Sequence, residues 1–182
     1  VLAVIGDPYE EAIAVDGAWD NTTGLVEYQG VYLKTYEVLF HIGPLEDGTI
    51  NMVEFLAIVH ALALCKQWHW KIPIYSDSKI ALGWVKEKKA KTNHPPSEKN
   101  KKLFEMLARA ENWLKNNTFE NELLKWERLA DSIKITGKLF NQRKIDRVAM
   151  SDWSDNIEQG KPGVIPFQFQ LFSDEAIELI IR

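Results

Sequence analysis

The stretch NMVEFLAIVHALALCKQW, residues 51–68, constrains this chain more than any other. Its length and composition predict a long helix, and it carries so few polar residues that it must be mostly buried rather than amphipathic. Such a helix needs a domain that covers it on more than one side. The rest of the chain supplies the layers. Residues 11–18, EAIAVDGA, read as a strand, apolar from Ala12 to Val15 and ending in Asp-Gly. Residues 25–33 and 36–42 are rich in β-formers, and the short Lys34-Thr35 connection makes them a hairpin, so these strands form an antiparallel meander. GPLEDG at 43–48 reads as punctuation.

Beyond the long helix, KIPIYS at 71–76 reads as a short buried strand, followed by a helix from about 78 to 90. NHPPS at 93–97 breaks the chain, and Ser97 with Glu98 start a helix that runs to about 116, with Leu103, Leu107, Ala110 and Leu114 at helical spacing. FENELLKWE at 119–127 reads as a fifth strand and LADSIKITGKLF at 129–140 as a weaker helix. A meander followed by helix-linked strands implies an α/β domain with a mixed sheet and helices packed on it. Residues 1–140 form that expected domain. Residues 141–182 fall outside the pattern and read as a C-terminal extension.

Composition narrows the classes. At 46% hydrophobic, the 182 residues can bury a real core and do not resemble a disordered polymer. The net charge of −4 does not advertise nucleic-acid binding, so any basic face must be local. One cysteine, Cys65, excludes an internal disulfide and fits a buried thiol in a reducing compartment. No apolar run reaches the ~18 residues of a membrane span, and the N-terminus has no signal-peptide pattern, so the expected location is cytoplasmic, away from membranes.

Three carboxylates stand where apolar elements do not ask for them. Glu54 shares a helix face with Ile58, Ala61 and Cys65, and a carboxylate on an apolar stripe is expensive unless something compensates its charge. Asp16 and Asp77 each close a short apolar strand, and sites form at strand ends in such sheets. Read singly, Glu54 is a first-turn residue reaching water, Asp16 a turn residue and Asp77 a helix N-cap. Read together, they repel unless a cation joins them, and oxygen-only ligands select a hard divalent ion, Mg2+ or Mn2+. The histidines His41, His60, His69 and His94 lack zinc-ligand spacing and read as surface or packing residues.

IAVDGAW, INMVEFLAIVHALAL and IYSDSKIALGWV together resemble the three leading signatures of type 1 ribonuclease H, in the family's order and at its intervals over about residues 11–140. The segment from Gly83 to Asn117 looks most like the bacterial branch. The resemblance implies a ribonuclease H-like fold: a five-stranded mixed sheet, antiparallel meander plus parallel strands, flanked by helices. It also implies endonucleolytic cleavage of the RNA strand of an RNA–DNA hybrid by two Mg2+ or Mn2+ ions. Asp16, Glu54 and Asp77 would hold one ion, and Asp16 with a fourth carboxylate the other. In the family that carboxylate follows the fifth strand behind a glycine-rich loop with a histidine. Here KWERLADSIKI offers Asp131, but the loop and its histidine are missing. Asp146 in RKIDRVA is a poorer alternative.

Substrate contacts follow from charge and from the resemblance. Lys86, Lys88, Lys89, Lys91, Lys99, Lys101 and Lys102 are opposed only by Glu87 and Glu98, which makes a local basic face suited to phosphates. Trp84 reads either as a groove residue or as packing. Family members read 2′-hydroxyls through an asparagine before the helix glutamate and backbone after the first aspartate; Asn51 and Gly17 fit those places, and Asn21 adds a candidate. The expected partner is an RNA–DNA hybrid and the expected state a monomer. Two other classes remain open: another nuclease or resolvase on the same fold, and a non-catalytic hybrid-binding or assembly module.

Overall fold

The computed structural model describes residues 3–4, 11–35 and 37–126. The elements run β1 (Ala3–Val4), β2 (Ile13–Trp19), β3 (Val26–Tyr32), β4 (Glu37–Leu45), α1 (Ile50–Trp68), β5 (Ile74–Ser76), α2 (Lys79–Glu87), α3 (Lys101–Asn116) and β6 (Leu123–Trp126). One mixed sheet takes the strands in the order β1-β6-β5-β2-β3-β4. β2, β3 and β4 pair antiparallel, whereas β2–β5, β5–β6 and β6–β1 are parallel. This is the five-stranded, helix-flanked mixed sheet expected from the sequence, with one addition. The two-residue strand β1 joins the outer side of β6, within an apolar run, VLAVI at 1–5, that lies outside the elements expected from the sequence.

Helix α1 explains the layering. Every residue from Met52 to Cys65 is buried, between the sheet on one side and α2 and α3 on others. By length and composition alone α1 is apolar enough to cross a membrane, a property the sequence expectation denied to any run, and most of it is buried inside the domain. Ile13 and Val15 of β2, Tyr28 of β3, Phe40 of β4 and Ile74 of β5 pack into the same core. Burying one such large apolar side chain contributes about 1.5–3 kcal/mol, so the core around α1 dominates stability.

Several boundaries differ from those expected: β5 begins at Ile74 rather than 71, α2 ends at Glu87 rather than near 90, β6 begins at Leu123 rather than 119, and three further differences have a visible cause. β2 does not end at Asp-Gly but continues to Trp19, because Asp16 and Gly17 still pair with Gln29 and Tyr28 of β3. β4 runs through Gly43 and Pro44 to Leu45, where punctuation was expected. β4 is the last strand of the described sheet, and an edge tolerates a residue without an N–H donor. The third helix begins at Lys101 rather than at Ser97: Ser97 Oγ accepts the Asn100 amide at 3.3 Å as a cap would, but its hydroxyl also donates to Asp47 and its amide to Asn100 Oδ1, and the regular helix starts only after this turn. The expected helix at 129–140 and the extension at 141–182 lie outside the described residues.

The histidines have structural surroundings. His94 bonds Asp47, His69 caps α1, and His41 pairs with Glu27 between β4 and β3, both side chains under 2% exposed. His60 is buried on α1, stacked on Phe40 and 2.8 Å from the Tyr28 hydroxyl through Nδ1. Burial pushes the His60 imidazole down to about 3 and the Tyr28 phenol above its usual range. His60 is therefore neutral when folded, while the unfolded chain takes up its proton below about pH 6.5. The folded state loses relative stability as pH falls from about 6.5 toward 3, by on the order of 1 kcal/mol per unit. Acid titration of thermal melts should show a shallower loss over that window in the double variant Tyr28→Phe/His60→Leu. An acid arm identical to wild type would remove His60 as its source.

Candidate metal centre

The site begins with a backbone mismatch. β2 lies between β3 and β5, and the Ile13 amide donates to Pro73 O on the β5 side at 3.0 Å. Alternation turns the Gly17 amide to that same side. β5, however, stops at Ser76. With no strand carbonyl opposite, the Gly17 amide donates to Asp16 Oδ1 at 3.0 Å and to Glu54 Oε1 at 3.2 Å.

Strand register supplies the second aspartate. Ala14 pairs with Tyr75 in the parallel ladder, so Asp16 and Asp77, each two residues on, stand level at the sheet end. Asp77 is not the N-cap of α2. Ser78 takes that role, its Oγ accepting the Ala81 amide at 3.0 Å, and Ser76 Oγ accepts the Ser78 amide at 3.1 Å. The two serines satisfy the turn, and the carboxylate between them is left to the site.

Glu54 arrives from α1 and is 4% exposed, so it does not reach freely into water as a first-turn residue would. Its approach depends on Gly17. A Cβ at that position would stand 2.9 Å from Val53 Cγ2 and 3.4 Å from Glu54 Cδ. Glycine lets the helix come close enough for the glutamate to reach the Gly17 amide.

Asp16, Glu54 and Asp77 each offer one carboxylate oxygen, and these oxygens lie within 4.8 Å of one another. Two charged carboxylates that close repel by on the order of 3 kcal/mol at an effective dielectric near 20. The donor set fits a hard divalent cation. Mg2+ binds oxygen at about 2.0–2.1 Å in an octahedron, which places neighbouring ligand oxygens about 3–4 Å apart. Shifts of some tenths of an ångström to an ångström bring this trio to that spacing. With no nitrogen or sulfur in the set, zinc is disfavoured.

The other sequence candidates divide. Asn51 is partly exposed in the first turn of α1, three residues before Glu54, and Asn21 is exposed in the turn after β2. Trp84 belongs to the core: it is 9% exposed with its ring edge-on to Phe55, so packing explains it. All seven lysines are exposed. Lys89 is tied to Glu111 at 3.3 Å and Lys91 to Glu87, whereas Lys86, Lys88, Lys99, Lys101 and Lys102 form no ion pair among the described residues. Asp131 and Asp146 lie outside the described residues.

One feature near the site was invisible in sequence. Asp47, just before α1, accepts hydrogen bonds from His94 Nε2 at 3.0 Å, Asn100 Nδ2 at 3.1 Å and the Ser97 hydroxyl. Those bonds from Ser97 and His94 hold its carboxyl below the usual range. The knot fastens the 94–100 loop to the entry of α1, beside Asn51. Its partners are about fifty residues apart, and no local pattern announces such a contact.

The sequence model of a domain of unknown function (DUF6046) matches residues 116–182. That match begins at the last residue of α3 and includes β6, an interior strand of the sheet. Among solved structures, the chain is similar to the N-terminal RNase H domain of Rv2228c from Mycobacterium tuberculosis, determined as a fusion with maltose-binding protein. Identity is 18%, coverage is 82% of this chain and 97% of that one, and the TM-score is 0.46.

Two measurements check the site. Gly17→Ala should destabilise the protein by about 1–3 kcal/mol, because Val53 and Glu54 must move, and lower Tm by several degrees. Mg2+ should raise the wild-type Tm, and Asp77→Asn should shrink that rise. An undiminished Mg2+ response in Asp77→Asn would remove Asp77 from the ligand set.

Proposed function

We propose that this protein is a metal-dependent endoribonuclease, a ribonuclease H, that acts in the cytoplasm on the RNA strand of RNA–DNA hybrids. The observation that carries the reading is the convergence of Asp16, Glu54 and Asp77. Their oxygens lie within 4.8 Å although they come from a strand, a helix and a second strand end. Those residues are also the ones on which the three sequence signatures centre.

When bound, two Mg2+ or Mn2+ ions at such a centre would activate a water and stabilise the departing 3′ oxygen. Asp16, Glu54 and Asp77 would hold one ion, and Asp131 is the proposed partner of Asp16 for the other. The remaining work belongs to the chain. The Gly17 amide, shared between Asp16 and Glu54, fixes the direction of both carboxylates. Asn51, three residues before Glu54 on α1, Asn21, in the turn after β2, and the Gly17 backbone are the proposed contacts to 2′-hydroxyls of the RNA strand. Lys86, Lys88, Lys99, Lys101 and Lys102 form no ion pair among the described residues, and they are the proposed holders of backbone phosphates. The products carry 5′-phosphate and 3′-hydroxyl ends.

The deciding assay incubates the protein with matched hybrid, duplex DNA and duplex RNA, with and without Mg2+ or Mn2+. Cleavage confined to the RNA of the hybrid is expected, with Asp16→Asn reducing it to background while hybrid binding persists. Binding without cutting in either metal would make the protein a hybrid-binding module, and preferential cutting of duplex DNA a different nuclease.

The ion pairs sort the lysines further. Lys86→Ala/Lys88→Ala should weaken hybrid binding and reduce its dependence on log salt by roughly one unit per lost phosphate contact. Lys89→Ala/Lys91→Ala should do less, because those charges already have carboxylate partners. Equal slopes for the two pairs would show that the ion pairs do not govern phosphate contact.

A further inference from the structure

Two side chains near the acidic centre remain without a role. Among the described residues, Trp19 at 41% and Ile80 at 52% are the exposed large hydrophobics. Neither position is arbitrary. Trp19 follows Asp16 by three residues, at the end of β2, and Ile80 follows Asp77 by three residues, in the first turn of α2. Single exposed apolar residues need no explanation. Here both stand at the same offset from two carboxylates that sit level at one sheet end.

Strand geometry links Trp19 to the α1 side of the site, the side from which Glu54 comes, rather than to the face of the Asp16 side chain. Alternation along β2 puts it on the face of Gly17, and that face is packed by Ile50, Val53 and Glu54 of α1. Trp19 lies two residues beyond Gly17, roughly 7 Å farther along the strand, and so leaves the sheet past the start of α1. From Asp16 to Trp19 the backbone spans about 10 Å. That is the reach from a phosphate to a base one or two nucleotides away. Ile80 comes from a different element, the first turn of the helix whose far end carries exposed Lys86 and leads to Lys88.

We propose that Trp19 and Ile80 grip the nucleotides on either side of the phosphate presented to the acidic centre, Trp19 by stacking on a base and Ile80 by packing against a sugar. This rests on the nuclease reading above. Every base has a π-face, so the grip is indifferent to sequence, as a hybrid nuclease requires. A second copy of this chain is the competing occupant. The exposed cations of α2 and the residues after it favour a polyanionic phosphodiester strand over another apolar surface.

The test uses the full chain and an RNA–DNA hybrid carrying 2-aminopurine at successive positions. Wild type should quench the probe at one or two positions, and Trp19→Ala should abolish that signal and raise KM roughly tenfold with a smaller change in kcat. Trp19→Phe should restore most of both. Ile80→Ser, on a different element, should raise KM without removing the quench. Unchanged KM and quenching in Trp19→Ala, while wild type still cleaves, would overturn this inference and leave the nuclease reading standing. So would concentration-dependent self-association that Trp19→Ala abolishes while hybrid affinity holds. Failure of wild type to bind or cleave any hybrid would sink the nuclease reading and the proposed grip together.

Discussion

Three carboxylates held within a few ångströms of each other oppose folding, and the rest of the structure is arranged to tolerate that. Each side chain is anchored by an element too well packed to retreat. Asp16 sits on the central strand, paired through Gln29 to β3. Asp77 is fixed between two serines that satisfy the turn into α2. Glu54 belongs to a helix buried along fourteen consecutive residues. The repulsion within the trio is a few kcal/mol, whereas the core around α1 contributes several times that through its apolar side chains. The domain can thus carry the strain of the site as a local cost.

The point at which β5 stops decides where that cost falls. One more residue of pairing would occupy the Gly17 amide and deprive Asp16 and Glu54 of their shared donor. The end at Ser76 comes from a Ser-Asp-Ser sequence that favours a capped helix start over further strand. Helix initiation and site formation are therefore one event, and the close approach allowed by Gly17 completes it from the α1 side.

Much of this was legible in sequence because it depends on local pattern. The apolar run around Glu54 and the short strands ending near Asp16 and Asp77 placed three carboxylates on the right elements. What escaped was whatever depends on partners distant in sequence. Asp-Gly at 16–17 has turn chemistry, yet β3 continues to pair with it, so β2 reaches Trp19. Pro44 reads as a stop, yet an edge position accommodates it. Ser97 has the look of a helix cap, but Asp47 claims its hydroxyl. The lysine run looked uniform until Glu111, on a different helix, proved to neutralise Lys89. Trp84 illustrates the opposite ambiguity: groove and core make the same demand for an aromatic residue, and only its contact with Phe55 separates them.

On the proposed nuclease reading, the same division bears on how an acidic protein would meet a polyanion. A net charge of −4 and a cluster of carboxylates both repel phosphates at long range. At physiological salt such fields fade within about 8 Å, so attraction need only be local. On that reading the lysines without an ion pair between Lys86 and Lys102 would supply it, flanking a loop that His94 and Asn100 fasten to Asp47 just before α1. They attract the backbone but do not remove the repulsion at the centre, where only a divalent cation reverses the sign. Under that proposal, phosphate capture and metal loading would be separate requirements met by separate residues. A strand held by the lysines over an empty centre would be repelled at the one phosphate that matters, which makes metal occupancy a condition for correct seating as well as for chemistry.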